Sequence, residues 1–366
     1  MDLLNIREKM LKNVLGRLIL RLASFLYQSA VKINLFAYRQ KWLKTLAVNT
    51  RVVCIGNIAA GGTGKTTAVM LGARELAKRG VRVSVVSRGY KRSAKKSGVA
   101  VLFDKELDNW LETGDEPYMM SQLLAEDKIP VLVSANRYSA ANEALKQFKS
   151  QIILLDDGFQ HHKLNRDANI VLLNAANPFS SGALLPYGML REPLCALKRA
   201  NLIVITHSNL VSARDIEDIK DKIRLVNDEI EILTAIHKLD YFFDLTSREK
   251  IGLDKINGAA AVFSAIGDPQ SFENTLKRLG LDLKQVWRFS DHASYSIENI
   301  RDFVSMRGDL PLITTFKDAV KLPEGWRDII KNGLYILAVN MEIQNGELDK
   351  FLDVLYPNLS KKKSVI

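Results

Sequence analysis

Residues 54–67 read CIGNIAAGGTGKTT, and this stretch decides the fold. It leaves an apolar run, passes through glycines and enters a helical stretch at Lys65-Thr66-Thr67. That order, strand then glycine loop then helix, is the context a phosphate-binding loop needs. Backbone N–H groups at Gly61, Gly62, Thr63 and Gly64 converge on phosphate oxygens, and the helix N-terminus adds a favourable dipole. Lys65 reaches the outer phosphates, the Thr66 hydroxyl holds Mg²⁺, and Thr67 completes the set. The match to G-x-x-x-x-G-K-[ST] is imperfect, because Ala59 stands at the first glycine. Partitioning-type ATPases carry an extra lysine in this loop where the chain has Ala60, which argues against that class.

Outward from the loop, strand-like runs recur at Val52–Ile55, Val81–Ser87, Val99–Phe103, Pro130–Ser134, Gln151–Asp156, Ile170–Asn174 and Leu202–Thr206. Several are continuous apolar runs, as expected of strands buried on both faces. Helical stretches such as Thr66–Arg79 and Ser139–Lys149 lie between them. The expectation is an α/β, P-loop NTPase-like, doubly wound and mostly parallel sheet. Ile232–Thr246 reads as a connector, followed by a second strand–helix rhythm from Ala259 to Val339. The expected organisation is a membrane-interface helix over 1–37, a kinase-type domain over 38–231, a linker over 232–248, a smaller α/β domain over 249–345 and a tail over 346–366.

The run IILLDDGFQHH (152–162) ends an apolar strand in two carboxylates. In a P-loop domain an aspartate here holds Mg²⁺. Asp156 and Asp157 point to opposite sides if the strand persists, so one of them faces the metal. A pair of acids at a strand end also serves to cap a turn. His161 and His162 lack Cys or Glu partners at ligand spacing and read as structural.

The chain has 366 residues, 47% hydrophobic and 25% charged, with net charge +11. Residues 1–51 carry ten basic residues against two acidic ones, so most of the excess sits there. Leu11, Leu15, Leu18, Leu22, Phe25 and Leu26 follow the spacing of one helix face, while Arg17, Arg21, Gln28 and Lys32 fall on another. The alternatives are a helix packed on its own domain and an amphipathic N-terminal helix lying on an anionic membrane surface. Charges recur too often for a spanning helix, and no small-residue cleavage site follows. Two cysteines, Cys54 and Cys195, suit a reducing compartment. No aromatic-interleaved basic stripe or nucleic-acid module occurs, so no nucleic-acid partner is expected. The chain is expected to be a monomer.

Six strings together resemble the lipid A 4′-kinase (tetraacyldisaccharide 4′-kinase) family: GGTGKTT (61–67), SRGYKR (87–92), TGDEPYMM (113–120), ANR (135–137), DDGFQHH (156–162) and LLPYGMLREPL (184–194). FSAIGDPQSF (263–272), FSDHASY (289–295) and TFKDAVKL (315–322) extend the similarity into the second half. Thr67, Lys91 and Phe316 depart from the family pattern. The resemblance implies transfer of the ATP γ-phosphate, with Mg²⁺, to the 4′-hydroxyl of a tetraacylated glucosamine disaccharide 1-phosphate. It also implies work at the cytoplasmic face of a Gram-negative inner membrane, on a lipid disaccharide substrate.

A sugar hydroxyl is a poor nucleophile, so a carboxylate within reach should take its proton. The resemblance places that role on Asp115, oriented by His292. Asp115-Glu116-Pro117 also reads as an acidic helix start. Glu192 is a further candidate, as a Mg²⁺ or water-orienting carboxylate, with a structural ion pair as the alternative. Arg137 and Arg191 are candidates for phosphate, as guanidinium forks suit it, with structural ion pairs as the alternative. Arg88, Tyr90 and Glu116 are the remaining substrate candidates, Arg88 within a basic loop that includes Lys91, Arg92, Lys95 and Lys96. The rival readings are another P-loop enzyme, a GTPase or a small-molecule kinase, and a membrane-associated nucleotide-dependent adaptor; no N-K-x-D string for guanine occurs in the chain, and an adaptor has no use for a hydroxyl base.

Overall fold

The computed structural model describes residues 3–89, 98–103, 110–357 and 359. In the first half the strands are β1 (Arg51–Asn57), β2 (Val83–Ser87), β3 (Ala100–Leu102), β4 (Val131–Val133), β5 (Ile152–Asp156), β6 (Ala168–Asn174) and β7 (Leu202–Thr206). The chain continues through β8 (Ile232–Asp244), β9 (Glu249–Ile251), β10 (Gly258–Ser264), β11 (Leu281–Arg288), β12 (Leu312–Thr314) and β13 (Leu334–Ile343). The helices are α1 (Leu3–Leu11), α2 (Val14–Arg39), α3 (Lys65–Lys78), α4 (Asp115–Leu124), α5 (Arg137–Phe148) and α6 (Ala213–Arg224). After them come α7 (Pro269–Arg278), α8 (Ile297–Arg307), α9 (Phe316–Ala319), α10 (Trp326–Ile329) and α11 (Leu348–Leu355).

One sheet runs in the order β11-β10-β12-β13-β8-β7-β6-β1-β5-β2-β4-β3, with β9 paired to β8. From β2 to β7 the central pairs are parallel, and β3 is an antiparallel edge. Alternation along β1 sends Val53 and Ile55 to one face and Val52 and Cys54 to the other. The first face is covered by α3, α4 and α11, the second by α5 and α6. Two-sided cover explains why these strands read as unbroken apolar runs. On α6, Ile216, Ile219 and Ile223 are buried at helical spacing, and a capping box of Ser212 and Asp215 fixes its start.

The expected linker is instead mostly strand. Ile232–Asp244 forms β8, whose start pairs parallel with β7 and whose remainder pairs antiparallel with β13. The sheet therefore passes through the boundary without a break. A connector needs turn residues, and ILTAIHKLDYFFD holds neither glycine nor proline. The expected tail also holds structure: Phe351, Leu352 and Leu355 of α11 are buried in the first half's core. Arg51 Nε ties the end of α11 down through the Leu355 carbonyl at 2.6 Å.

The N-terminal segment forms two helices. Asn13 caps α2, accepting from Gly16 N–H at 2.6 Å, and the turn brings α1 back across it. A Cβ at Gly16 would meet the Met10 carbonyl, so the crossing requires glycine there. By length and composition α2 is apolar enough to cross a membrane, contrary to the expectation from its charges. Its contacts argue otherwise: Leu20 is buried, and Ser24 and Tyr27 bond to residues 184–191. The other side carries Leu15, Leu18, Leu22, Phe25 and Leu26, all exposed.

Candidate active site

At the C-terminal end of β1 the chain turns through residues 58–64 into α3. Gly64 caps the helix at φ 77, in the left-handed region, and a Cβ there would come 2.6 Å from the His237 ring. Left-handed backbone with no room for a side chain makes glycine obligatory. Neighbouring strand ends hold the loop's shape. Asn57 Nδ2 donates to Thr63 Oγ1 at 2.9 Å, Thr206 Oγ1 to the Thr63 carbonyl at 3.1 Å, and Asn174 Nδ2 to the Gly62 carbonyl at 3.1 Å. Ala60 N–H donates to the Met189 carbonyl at 2.7 Å.

Behind the loop, Thr67 Oγ1 donates to the Gly64 carbonyl at 2.8 Å and lies 2.9 Å from His237 Nε2. Because the hydroxyl proton is used, the Nε2–H form of His237 completes this bond. His207 stacks on His237 with ring centroids 4.1 Å apart. Burial, then the neighbouring His207, push the His237 pKa down to about 3, so it stays neutral. His207 and His237 escape sequence reasoning, since β8 brings them to the loop only by pairing.

Asp156 ends β5 fully inside the protein. Ser87 Oγ donates to its Oδ2 at 3.2 Å, while its buried Oδ1 has no hydrogen-bond partner among the described residues. Burial, then the carboxylates of Glu116 and Asp157, push its pKa up to about 7. A buried anionic oxygen without a donor fits a divalent cation, whose charge would offset the cost of ionisation. Asp157 does not continue the strand; it sits at φ 48, in the left-handed region. Arg191 Nη1 grips its two oxygens at 3.0 and 2.9 Å, and Lys65 Nζ lies 3.9 Å away. Burial would raise the Asp157 pKa, but Lys65 and Arg191 outweigh it and hold the carboxyl below its usual range. Arg137, itself buried, donates to the Asp157 carbonyl at 3.2 Å, and its Nε has no partner among the described residues.

Glu192, a candidate for the metal, is paired with side chains of the protein. Its two oxygens accept from Gln160 Nε2 at 3.1 Å and Arg199 Nη2 at 2.7 Å. Glu192 is buried and Arg199 half-buried in this ion pair, and Gln160 is also bonded to the Asn57 carbonyl. The glutamate thus braces the base of the loop.

Asp115 opens α4 and is 3% exposed. Its Oδ1 accepts from Glu116 N–H at 3.0 Å, and its Oδ2 lies 2.7 Å from His292 Nδ1. His292 comes from the loop after β11, in left-handed backbone at φ 64, with its N–H bonded to the Ala265 carbonyl at 3.2 Å. Burial would raise the Asp115 pKa; the His292 hydrogen bond and the Lys317 charge outweigh it, so the carboxyl stays below its usual range. Lys317 Nζ lies 3.4 Å from both Glu116 Oε1 and Asp291 Oδ1. Burial opposes its charge, but Glu116, Asp291 and Asp115 outweigh it and raise its pKa.

Asp318, next along α9, is structural. It pairs with the equally buried Lys321 at 2.9 Å and accepts from Ala265 N–H and the Tyr295 hydroxyl. Arg88 is exposed beyond the end of β2, while Tyr90 and the basic residues 91–96 lie outside the described residues. Burial first, then nearby cationic groups, push His161 and His162 down to about 4, in keeping with uncharged structural roles.

A glycine loop closing onto a helix N-terminus, acids at the adjacent strand end and a carboxylate–imidazole pair across the sheet define a P-loop phosphotransferase. The family described as tetraacyldisaccharide-1-P 4′-kinase matches residues 16–356. A tetraacyldisaccharide 4′-kinase of Elusimicrobium minutum is 54% identical, over 99% of this chain and 98% of that protein. One from Aquifex aeolicus is 33% identical, over 91% and 96%. The crystal structure of LpxK from Aquifex aeolicus in complex with ATP superposes with TM-score 0.73 at 29% identity, covering 93% of this chain and 99% of that one. The chain belongs to the tetraacyldisaccharide-1-P 4′-kinase family. It is accordingly a kinase that uses ATP, and the mostly parallel α/β fold expected from the phosphate loop holds.

Proposed function

We propose that this chain phosphorylates the 4′-hydroxyl of a tetraacylated glucosamine disaccharide 1-phosphate with Asp115 as general base and His292 as its positioning partner. The observation that carries the reading is the 2.7 Å contact between them, 177 residues apart in sequence and from opposite halves of the sheet. The hydroxyl oxygen forms a bond to the γ-phosphorus as the bond to the ADP oxygen breaks, and its proton passes to Asp115. Held ionised, the carboxylate is always ready to accept it. In a loose transition state the hydroxyl becomes acidic late, so a weak, well-placed base suffices.

Lys65 is positioned to stabilise charge on the transferring group, with Arg137 and Arg191 beside it. Mg²⁺ would be held by Asp156 and the Thr66 hydroxyl, with Asp157 tuned by Lys65 and Arg191; the ion supplies charge neutralisation on the phosphates. Glu116 and Lys317 form the rim nearest the base, and Arg88 with Tyr90 are candidates for the substrate's 1-phosphate.

The exposed side of α2, with Leu22 at 62% and Phe25 at 63% exposure, supports docking on an anionic membrane surface. Arg17, Arg21 and Lys32 along the same helix suit acidic headgroups. ATP as donor supports the cytoplasmic side, and the free cysteines agree with that. The test is transfer of labelled phosphate from ATP to a tetraacyl disaccharide 1-phosphate, with mass analysis of the product. Asp115→Ala and His292→Ala should each cut kcat, the base by about 10²–10⁴-fold, with little change in KM for ATP. The double variant should be little slower than the slower single one. Losses that multiply would break the pair, and a near-normal Asp115→Ala enzyme would remove the base.

A further inference from the structure

The side of α2 opposite the exposed leucines makes its hydrogen bonds to one segment, residues 184–191. Ser24 Oγ donates to the Leu184 carbonyl at 2.8 Å, and Arg21 meets the Tyr187 hydroxyl at 3.2 Å. The Tyr27 hydroxyl donates to the Arg191 carbonyl at 2.9 Å. From α1, Arg7 donates to the carbonyls of Pro186 and Tyr187, both at 2.9 Å. The other side of this segment is bonded to the phosphate loop: Met189 accepts from Ala60 N–H, and Arg191 N–H donates to the Ile58 carbonyl, each at 2.7 Å.

Arg191 is therefore held at three points. Its N–H is fixed by the loop, its guanidinium by both oxygens of Asp157, and its carbonyl by a hydroxyl from the lipid-facing helix. A helix serving only as an anchor has no use for that hydroxyl; phenylalanine would fill the same space.

We propose that Tyr27 is a positioning residue for phosphoryl transfer, setting Arg191 against Asp157 and thereby linking the seating of α2 on lipid to the geometry of the ATP site. The inference rests on the reading of Arg191 and α2 above. Its energetic logic is that of a coupling between two sites, so it acts in both directions: ATP in the loop should favour lipid engagement of α2 as much as the reverse.

The experiment compares Tyr27→Phe, Arg191→Ala and the double variant in mixed micelles containing the lipid acceptor, with vesicle sedimentation and thermal unfolding in parallel. Tyr27→Phe removes one hydrogen bond and no packing, so kcat should fall about five- to tenfold. Vesicle binding without nucleotide should stay at the wild-type level. The double variant should be no slower than Arg191→Ala alone, which a merely structural tyrosine would not produce. An unchanged kcat in Tyr27→Phe beside an impaired Arg191→Ala overturns the link, as do losses that multiply. An unimpaired Arg191→Ala overturns it differently, by removing arginine's place at the phosphates.

Discussion

Asp156→Asn should make the nucleotide-free protein more stable and the enzyme inactive. Asparagine keeps an oxygen to accept from Ser87, removes the charge and puts an amide NH2 in the place of Oδ1. Each factor of ten in proton affinity corresponds to about 1.4 kcal/mol. A rise from 3.8 to about 7 therefore costs about 4 kcal/mol wherever the carboxyl must be ionised in the folded state. The sign follows from the direction of the shift. A group whose proton is held more tightly when folded contributes stability below about pH 4 and loses it as pH rises through about 7. The advantage of Asp156→Asn over the natural chain should thus be near zero at pH 4 and nearly complete at pH 8. There it should raise the unfolding midpoint by about 5 °C. Thermal unfolding of both proteins across that range, without nucleotide or divalent cation, reads it directly. Kinase assays of the same samples should show loss of turnover, the trade-off typical of a strained functional site. A gain independent of pH, or no gain at pH 8, would refute the claim that this carboxylate is held against its own ionisation cost.

Lys65→Ala should abolish turnover while leaving the unfolding midpoint nearly unchanged, since its ion-pair partner, Asp157 at 3.9 Å, retains Arg191; a steady-state phosphate-transfer assay with unchanged kcat would remove the phosphate-loop role. Leu22→Asp and Phe25→Asp should leave the fold intact, because both side chains face outward, and each should weaken sedimentation with anionic vesicles more than tenfold, as about 2 kcal/mol of apolar burial is lost. Binding by the natural chain should fall with added salt as surface charge is screened; equal sedimentation of variants and natural chain would exclude α2 as the docking face.

Local signals carried most of the first half of the fold. The phosphate loop, the buried strands and α3 all follow from short-range patterns, because a parallel sheet covered on both faces needs apolar runs and glycine at the loop. The second half was harder for a physical reason. β8 pairs with β7 over its first three residues and with β13 over the rest, so its alternation is weak on both sides and resembles a connector. The C-terminal residues read as a tail because α11 spans only eight residues, and its apolar face becomes meaningful only against α3.

The site was legible where backbone geometry dictates residue type and illegible where charge alone was the signal. Gly64 could be read from the loop motif, and the structure gives the reason: left-handed backbone beside a ring admits nothing else. Asp115 and His292 could be joined only through the family resemblance, since no pattern relates positions 177 apart. Glu192 shows the limit most clearly. A glutamate beside an arginine in LREP reads alike whether it binds a metal, a phosphate-contacting neighbour or a distant cation. What decides is the partner, and here Arg199, seven residues on, closes over it while its own neighbour Arg191 turns to Asp157. Burying an unpaired carboxylate would cost several kcal/mol, and Glu192 is paired with Arg199. Of the acids the motifs offered, Glu192 is thus held by Gln160 and Arg199, while Asp156 keeps one oxygen without a donor among the described residues.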